Sequence, residues 1–156
     1  MSELISLKPS AIQLNANATS KKQIFKALSI MARNNLGLDE DQVFSALCER
    51  ESVGSTCLGN GIALPHARLK TLVRPYSFLL QLAHPLEEDK SDWGAQNVDF
   101  VFCVLAPQAQ DSMAMKQMAR LARSLREPQR CAKLRNCQSE QHLIDVWDQA
   151  LAPVAA

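Results

Sequence analysis

One histidine is set where it could accept a phosphoryl group. His66 follows Pro65 at the end of the short apolar run Ile62-Ala63-Leu64, behind a Gly59-Asn60-Gly61 bend, with Arg50-Glu51 and Gly54-Ser55-Thr56 upstream. A neutral imidazole nitrogen attacks phosphorus directly, and a side chain with an unperturbed pKa of about 6.5 is largely neutral near pH 7. No separate base is needed. A bound phosphoryl group brings close to two negative charges and strong acceptor oxygens, so its surroundings must supply donors and positive charge. Arg50 can present a planar fork, and Ser55 and Thr56 can donate hydroxyls. Gly59 and Gly61 would let backbone amides approach closely, as in a small anion nest. Arg68, two residues beyond the histidine, is a weaker candidate. The same residues also allow a plainer reading: a turn, a strand terminator and a polar side chain at a loop mouth.

Other chemistry has thinner support. Cys57 stands nine residues before His66, which invites a Cys-His nucleophile, yet no orienting Asn or Asp is evident and no cysteine-hydrolase signature surrounds it. A small structural thiol is the default. His84 and His142 form no HxxH or HxxxH pair with another histidine or cysteine, so no metal site is expected, and nothing calls for a cofactor. The run Arg120, Arg123, Arg126, Arg130, Lys133, Arg135 reads as a solvated helix face or as a docking patch for an acidic partner. Nucleic acid fits less well, because no binding motif accompanies the run.

Around these residues the chain reads as one domain over residues 1–156, with a frayed tail at 152–156. Its 47% hydrophobic and 21% charged content is that of an ordinary globular protein, and a net charge of +1 gives no global pull toward nucleic acid or membrane. Met1 to Lys8 lacks a basic region followed by a sustained apolar stretch, so no secretory signal is expected. No apolar run approaches the roughly 18 to 20 residues of a membrane helix. Five cysteines without a CxxC pair favour reduced thiols in a cytoplasm.

Ser20 with Gln23 makes a capping-box pattern for a helix carrying Ile24, Leu28 and Met31, which Gly37 can stop. Asp39 with Gln42 can cap a second, burying Val43, Phe44 and Leu47; Arg50 and Glu51 then fall on its last turn. Ile62 to Leu64 is a short strand candidate in which Pro65 pushes Leu64 toward extended geometry, and the alternation from Tyr76 to Leu82 predicts another. Val98 to Leu105, apolar on both faces, predicts a central strand between helical layers. A third helix from Asp111 or Ser112 should turn Met115, Met118, Leu121, Ala122 and Leu125 inward. A shorter one begins at Pro128, burying Cys131 and Leu134, and a last one after Ser139 buries Leu143, Val146, Trp147 and Ala150. The whole predicts an α/β fold: a small mixed β-sheet flanked by helices on both faces.

Arg50-Glu51-Ser52-Val53-Gly54-Ser55-Thr56 with Gly59-Asn60-Gly61-Ile62-Ala63-Leu64-Pro65-His66 resembles the phosphorylation-site signature of the mannitol/fructose-type IIA proteins of the bacterial phosphotransferase system. It is most similar to their nitrogen-regulatory branch, EIIA-Ntr. Ser20-Lys21-Lys22, Asn97-Val98-Asp99-Phe100-Val101-Phe102 and Cys137-Gln138-Ser139 agree with it. The resemblance implies a phosphocarrier that receives a phosphoryl group from an HPr-like carrier, itself charged from phosphoenolpyruvate through an enzyme I paralogue. The group is held on a histidine nitrogen, Nε2 in related IIA proteins. It also implies a system component rather than a free-standing catalyst, acting on targets such as potassium transport systems and sensor kinases by its phosphorylation state.

The chain departs from the pattern at one place. Family members usually carry a second histidine at the start of the third long helix, and ungapped alignment puts Ala114 there. Lys116 could substitute only with a shifted register or its long stem. Losing that contact would cost about 1.5 to 3 kcal/mol if it were fully made, tenfold to a hundredfold in rate. Two other readings therefore stand beside the regulator: a non-phosphorylated binding module on the same fold, and a sugar-specific IIA subunit of a carbohydrate permease.

Overall fold

The computed structural model describes residues 9–87, 97–108 and 112–151. Over those residues the chain enters through a 3-10 turn (Pro9–Ala11) and runs β1 (Ile12–Ala16), α1 (Lys21–Leu36), α2 (Glu40–Val53), β2 (Cys57–Gly59), β3 (Ile62–Ala63) and β4 (His66–Leu69). It continues through β5 (Tyr76–Leu82), β6 (Phe100–Pro107), α3 (Ser112–Leu125), α4 (Pro128–Arg135) and α5 (Glu140–Leu151). The strands form one mixed sheet with helices on both faces, as the sequence predicts.

Local signals set the helix ends. Ser20 Oγ accepts from Gln23 N at 3.1 Å, while the Gln23 side-chain oxygen accepts from Thr19 N at 2.7 Å, so the reciprocal half of the capping box reaches one residue further out. Gly37 stops α1 in the left-handed region at φ 69°. Asp39 Oδ1 accepts from the amides of Asp41 and Gln42 at 2.9 and 3.1 Å, and Glu40 and Asp41 suit the positive end of the α2 dipole. Pro128 opens α4, where its missing N–H costs no helical bond.

The sheet order is β1-β5-β6-β3-β2, with β4 also on β6. β6 is central, antiparallel to β5 and parallel to β3 and β4. Its alternation splits the core. Val101, Cys103 and Leu105 pack with Phe25, Leu28 and Leu47 of α1 and α2. Phe100, Phe102 and Val104 pack with Leu121, Leu134 and Trp147 of α3, α4 and α5, and Phe102 stacks on Trp147 with centroids 4.3 Å apart. This central strand starts at Phe100 rather than Val98.

The plainer reading of Pro65 as a strand terminator and His66 as a loop-mouth residue is corrected. β3 and β4 pair with β6 at one constant offset of 38 residues, Ile62 with Phe100 and His66 with Val104. Proline removes only the donor; the Pro65 carbonyl still accepts from Val104 N at 3.0 Å, and the ladder resumes in register. His66 therefore opens a strand instead of lying at a loop mouth. The β2–β3 connection is a two-residue hairpin loop, Asn60-Gly61, at φ 56° and 78°, the positive pair that a type I′ turn demands.

Candidate functional site

α2 lies along β4, and this brings Arg50, on the last turn of the helix, to the first residue of the strand. Arg50 Nε donates to His66 Nε2 at 3.1 Å, and His66 Nδ1 is 3.0 Å from the Leu64 carbonyl oxygen. A guanidinium can only donate and a carbonyl can only accept. The two contacts together fix the neutral tautomer: the proton is on Nδ1 and the lone pair on Nε2. Burial, first, and the positive charges of Arg50 and Arg68 push the His66 pKa below 6.5, against the opposing pull of the Leu64 carbonyl and of Glu51. Arg50 Nη1 donates to the Gly54 carbonyl at 3.0 Å, which anchors the guanidinium to the end of its own helix.

His66 opens into a cleft of about 480 Å³ between the last turns of α2, strand β4 and Met118 of α3. Arg68 lines it too; two residues on from His66, it shares that residue's face of β4 and is exposed. Val53 stands at the rim, 84% exposed. The cleft thus combines an imidazole nitrogen, two cations, the Glu49 carboxylate and apolar walls.

The other expected site residues lie elsewhere. Thr56 is buried, and its hydroxyl proton goes to Glu51 Oε1 at 2.6 Å while its amide points at both Glu51 oxygens at 3.3 and 3.2 Å. Lys21 Nζ approaches Glu51 Oε2 at 3.7 Å. The expected donation from Thr56 to a phosphoryl group is therefore corrected: that donor is committed to anchoring the loop. Ser55 is exposed, accepts from Cys57 N at 3.2 Å and does not line the cleft. The glycine nest is likewise corrected. Gly59 and Gly61 belong to the hairpin, and a Cβ on Gly61 would meet Arg135 Nη2 at 2.7 Å and Asn97 O and Asp99 Oδ1 at 3.0 Å. What needs to come close there is the Arg135–Asp99 ion pair (2.7 Å), whose guanidinium also donates to the Asn60 carbonyl. Lys116 is exposed and does not line the cleft. Ala114 lies one turn before Met118 in α3, and its side chain, like those of Met115 and Ala150, is outside the described residues, as is the tail at 152–156.

Cys57 offers no nucleophile beside His66. Its thiol contacts the Ile62 carbonyl at 3.5 Å, and burial, above all, raises its pKa, so it stays protonated. His84 and His142 are exposed. Among the described residues no three His, Cys, Asp or Glu side chains gather as a metal site would require, and no helix is long and apolar enough to cross a membrane. Sequence reasoning missed Glu51 as a buried loop anchor and the Asp99–Arg135 pair. Asp99 had one signal, a lone carboxylate inside the apolar stretch Val98 to Leu105.

The family model described as "Phosphoenolpyruvate-dependent sugar phosphotransferase system, EIIA 2" matches residues 5–150. The chain belongs to this family. Within the EIIA type 2 family it is similar to a nitrogen regulatory protein of Bradyrhizobium diazoefficiens, 35% identical over 148 residues that cover 95% of this chain and 94% of that one. The nitrogen regulatory protein IIA-Ntr of Neisseria meningitidis superposes with a TM-score of 0.81 at 24% identity, covering 90% of this chain and 94% of the other. The mannitol IIA of Escherichia coli does so with a TM-score of 0.73 at 16% identity, covering 91% and 99%. The fold of this chain is that of the mannitol and nitrogen-regulatory EIIA proteins, and its sequence kinship is with the nitrogen-regulatory ones.

Proposed function

We propose that this EIIA protein is a phosphocarrier and regulator of the nitrogen-type phosphotransferase chain. In this reading His66 accepts a phosphoryl group on Nε2 from the phosphohistidine of an HPr-like carrier in the cytoplasm. The protein then acts on partners, such as potassium transport systems or sensor kinases, according to its phosphorylation state. The single observation that carries the reading is the tautomer: the lone pair lies on Nε2, held by Arg50 at the wall of a cleft that Arg50 and Arg68 line, while Nδ1–H is held by Leu64.

In the transfer the bond between phosphorus and the donor's ring nitrogen breaks as the bond to Nε2 forms. The bonding pair stays with the donor ring, whose protonated nitrogen lets it leave as neutral imidazole. The His66 ring gains the positive charge, and the Leu64 carbonyl, accepting from Nδ1–H, stabilises it. Arg50 must release Nε2 as phosphorus arrives; its Nη1 bond to Gly54 keeps the guanidinium in place to receive phosphoryl oxygens. Arg68 supplies a second positive charge at the mouth.

The test is intact-mass spectrometry at mildly alkaline pH after mixing the chain with phosphoenolpyruvate, enzyme I and the HPr-like carrier from its own source. The expected result is an acid-labile gain of one phosphoryl group that His66→Gln lacks. No gain, with the fold intact and the carrier charged, favours the binding-module reading, for which the absence of histidine from Ser112 to Met118 is the motivating observation. A sugar-permease subunit would use the same chemistry; kinship with nitrogen regulatory proteins favours regulation.

A further inference from the structure

Seven of the chain's 17 Lys and Arg residues, but one of its 16 Asp and Glu, lie between Ser112 and Arg135, on α3, α4 and the turn that joins them. Elsewhere ten cations face fifteen carboxylates. A protein that is nearly neutral overall is therefore strongly divided, with positive charge gathered on two of the helices over one face of the sheet, while their neighbour α5 carries Glu140, Asp145 and Asp148 and no Lys or Arg.

Two of these cations have local partners: Arg135 with Asp99 at 2.7 Å, and Arg130 with Glu127 at 3.4 Å and Ser124 Oγ at 2.8 Å. Lys116, Arg120, Arg123, Arg126 and Lys133 are exposed, and none forms an ion pair among the described residues. Lys116, Arg120 and Arg123 follow one another at i, i+4 and i+7, opposite the inward Leu121 and Leu125. Cations at that spacing repel one another. The helix dipole accounts for Arg123 and Arg126 at the C-terminal end of α3 but not for Lys116 near the other. A merely solvated face normally mixes both signs; here Glu127 is the single carboxylate among seven cations.

We propose that the outward face of α3 and α4 docks an acidic polypeptide segment, and that phosphorylation of His66 weakens that docking. Arginine forks match carboxylates in pairs. An extended polyanion such as nucleic acid would reach past the patch onto the acidic remainder, and α3 and α4 carry no aromatic residue for a base to stack on. The gating rests on the function proposed above. Met118 places α3 against the His66 cleft, so two added negative charges would stand about one helix diameter, roughly 10 Å, from the patch, near the screening length at physiological salt.

The probe is a fluorescent 20-residue Glu/Asp-rich peptide, titrated against the full chain at 0.15 M salt, with duplex DNA of matched charge and phosphatidylserine vesicles as competitors. The expected result is that Arg120→Glu/Arg123→Glu, folded by circular dichroism, binds about tenfold more weakly, while the exposed control Lys26→Glu/Lys70→Glu binds as the unaltered chain does. Equal binding by the patch variant, or stronger competition by duplex or vesicles, overturns the docking face. The phosphorylated chain should bind a few-fold more weakly; equal affinity of the two forms overturns the gating alone. A chain that takes no phosphate overturns the functional reading and the gating, while the unphosphorylated titration still decides the docking face.

Discussion

Arg50 Nε donates to His66 Nε2 at 3.1 Å, the nitrogen that has to bond to phosphorus in the proposed transfer. The contact holds the lone pair in place and lowers its basicity, and it must break before the product forms. In the proposed transfer one guanidinium would orient the imidazole at rest and then be freed to meet the oxygens that arrive.

The imidazole should titrate below pH 6.5, because burial and two cations disfavour its charged form. Ring proton shifts followed by NMR against pH check this; a midpoint at or above 6.5 contradicts the burial of the ring. The folded chain binds this proton less readily than the unfolded chain, so the contribution is fully present above pH 6.5 and is lost as pH falls from there through the folded-state value. His66→Gln should lack that part of the acid slope in urea titrations.

Arg50→Ala should slow phosphoryl acquisition about tenfold to a hundredfold, the worth of one charge-assisted contact. The same change should raise the His66 midpoint, since Arg50 lowers it. Folding should suffer by only about 1 kcal/mol, for the bond to the Gly54 carbonyl. A histidine midpoint that stays where it was would show that the two side chains do not pair in solution.

Arg68→Ala should cost about tenfold in transfer rate with little loss of stability, because the side chain is exposed and its charge acts only across the cleft. Ala114→His should speed transfer if that position faces His66 as the alignment has it. Single-turnover rates with the charged carrier measure both; an unchanged rate in either variant removes that residue from the site.

Gly61→Ala should destabilise the fold by about 1 to 3 kcal/mol, since φ is 78° and a methyl group would press on Arg135 and Asp99. Transfer at low temperature should survive, because this glycine serves the hairpin rather than the histidine. Thermal melts and transfer rates on one sample separate the two roles; a stable but inactive variant would return Gly61 to the site.

The helices were legible because their signals are local. Ser20, Gly37, Asp39 and Pro128 each act on groups within four residues. Strands β1, β2 and β4 were not, since they are three to five residues long and owe their hydrogen bonds to distant partners. The site divided the same way. His66 and Arg50 stood out by type, and the structure brings them together. Gly61 was misplaced because closeness in sequence is not closeness in an extended chain: five residues at about 3.3 Å each carry it roughly 16 Å from His66. Thr56 was misread because nothing local reveals that Glu51 turns inward, with its side chain only 7% exposed.

The constant offset between β3–β4 and β6 makes the segment from Ile62 to Leu69 a ruler laid against Phe100–Pro107. A one-residue insertion or deletion between Ala63 and His66 would slide the imidazole to the opposite face of the sheet, among the side chains of α1 and α2. The number of residues in that stretch is then under as much constraint as their identity. Variation compatible with transfer should come as exchange of side chains, never as a change of length.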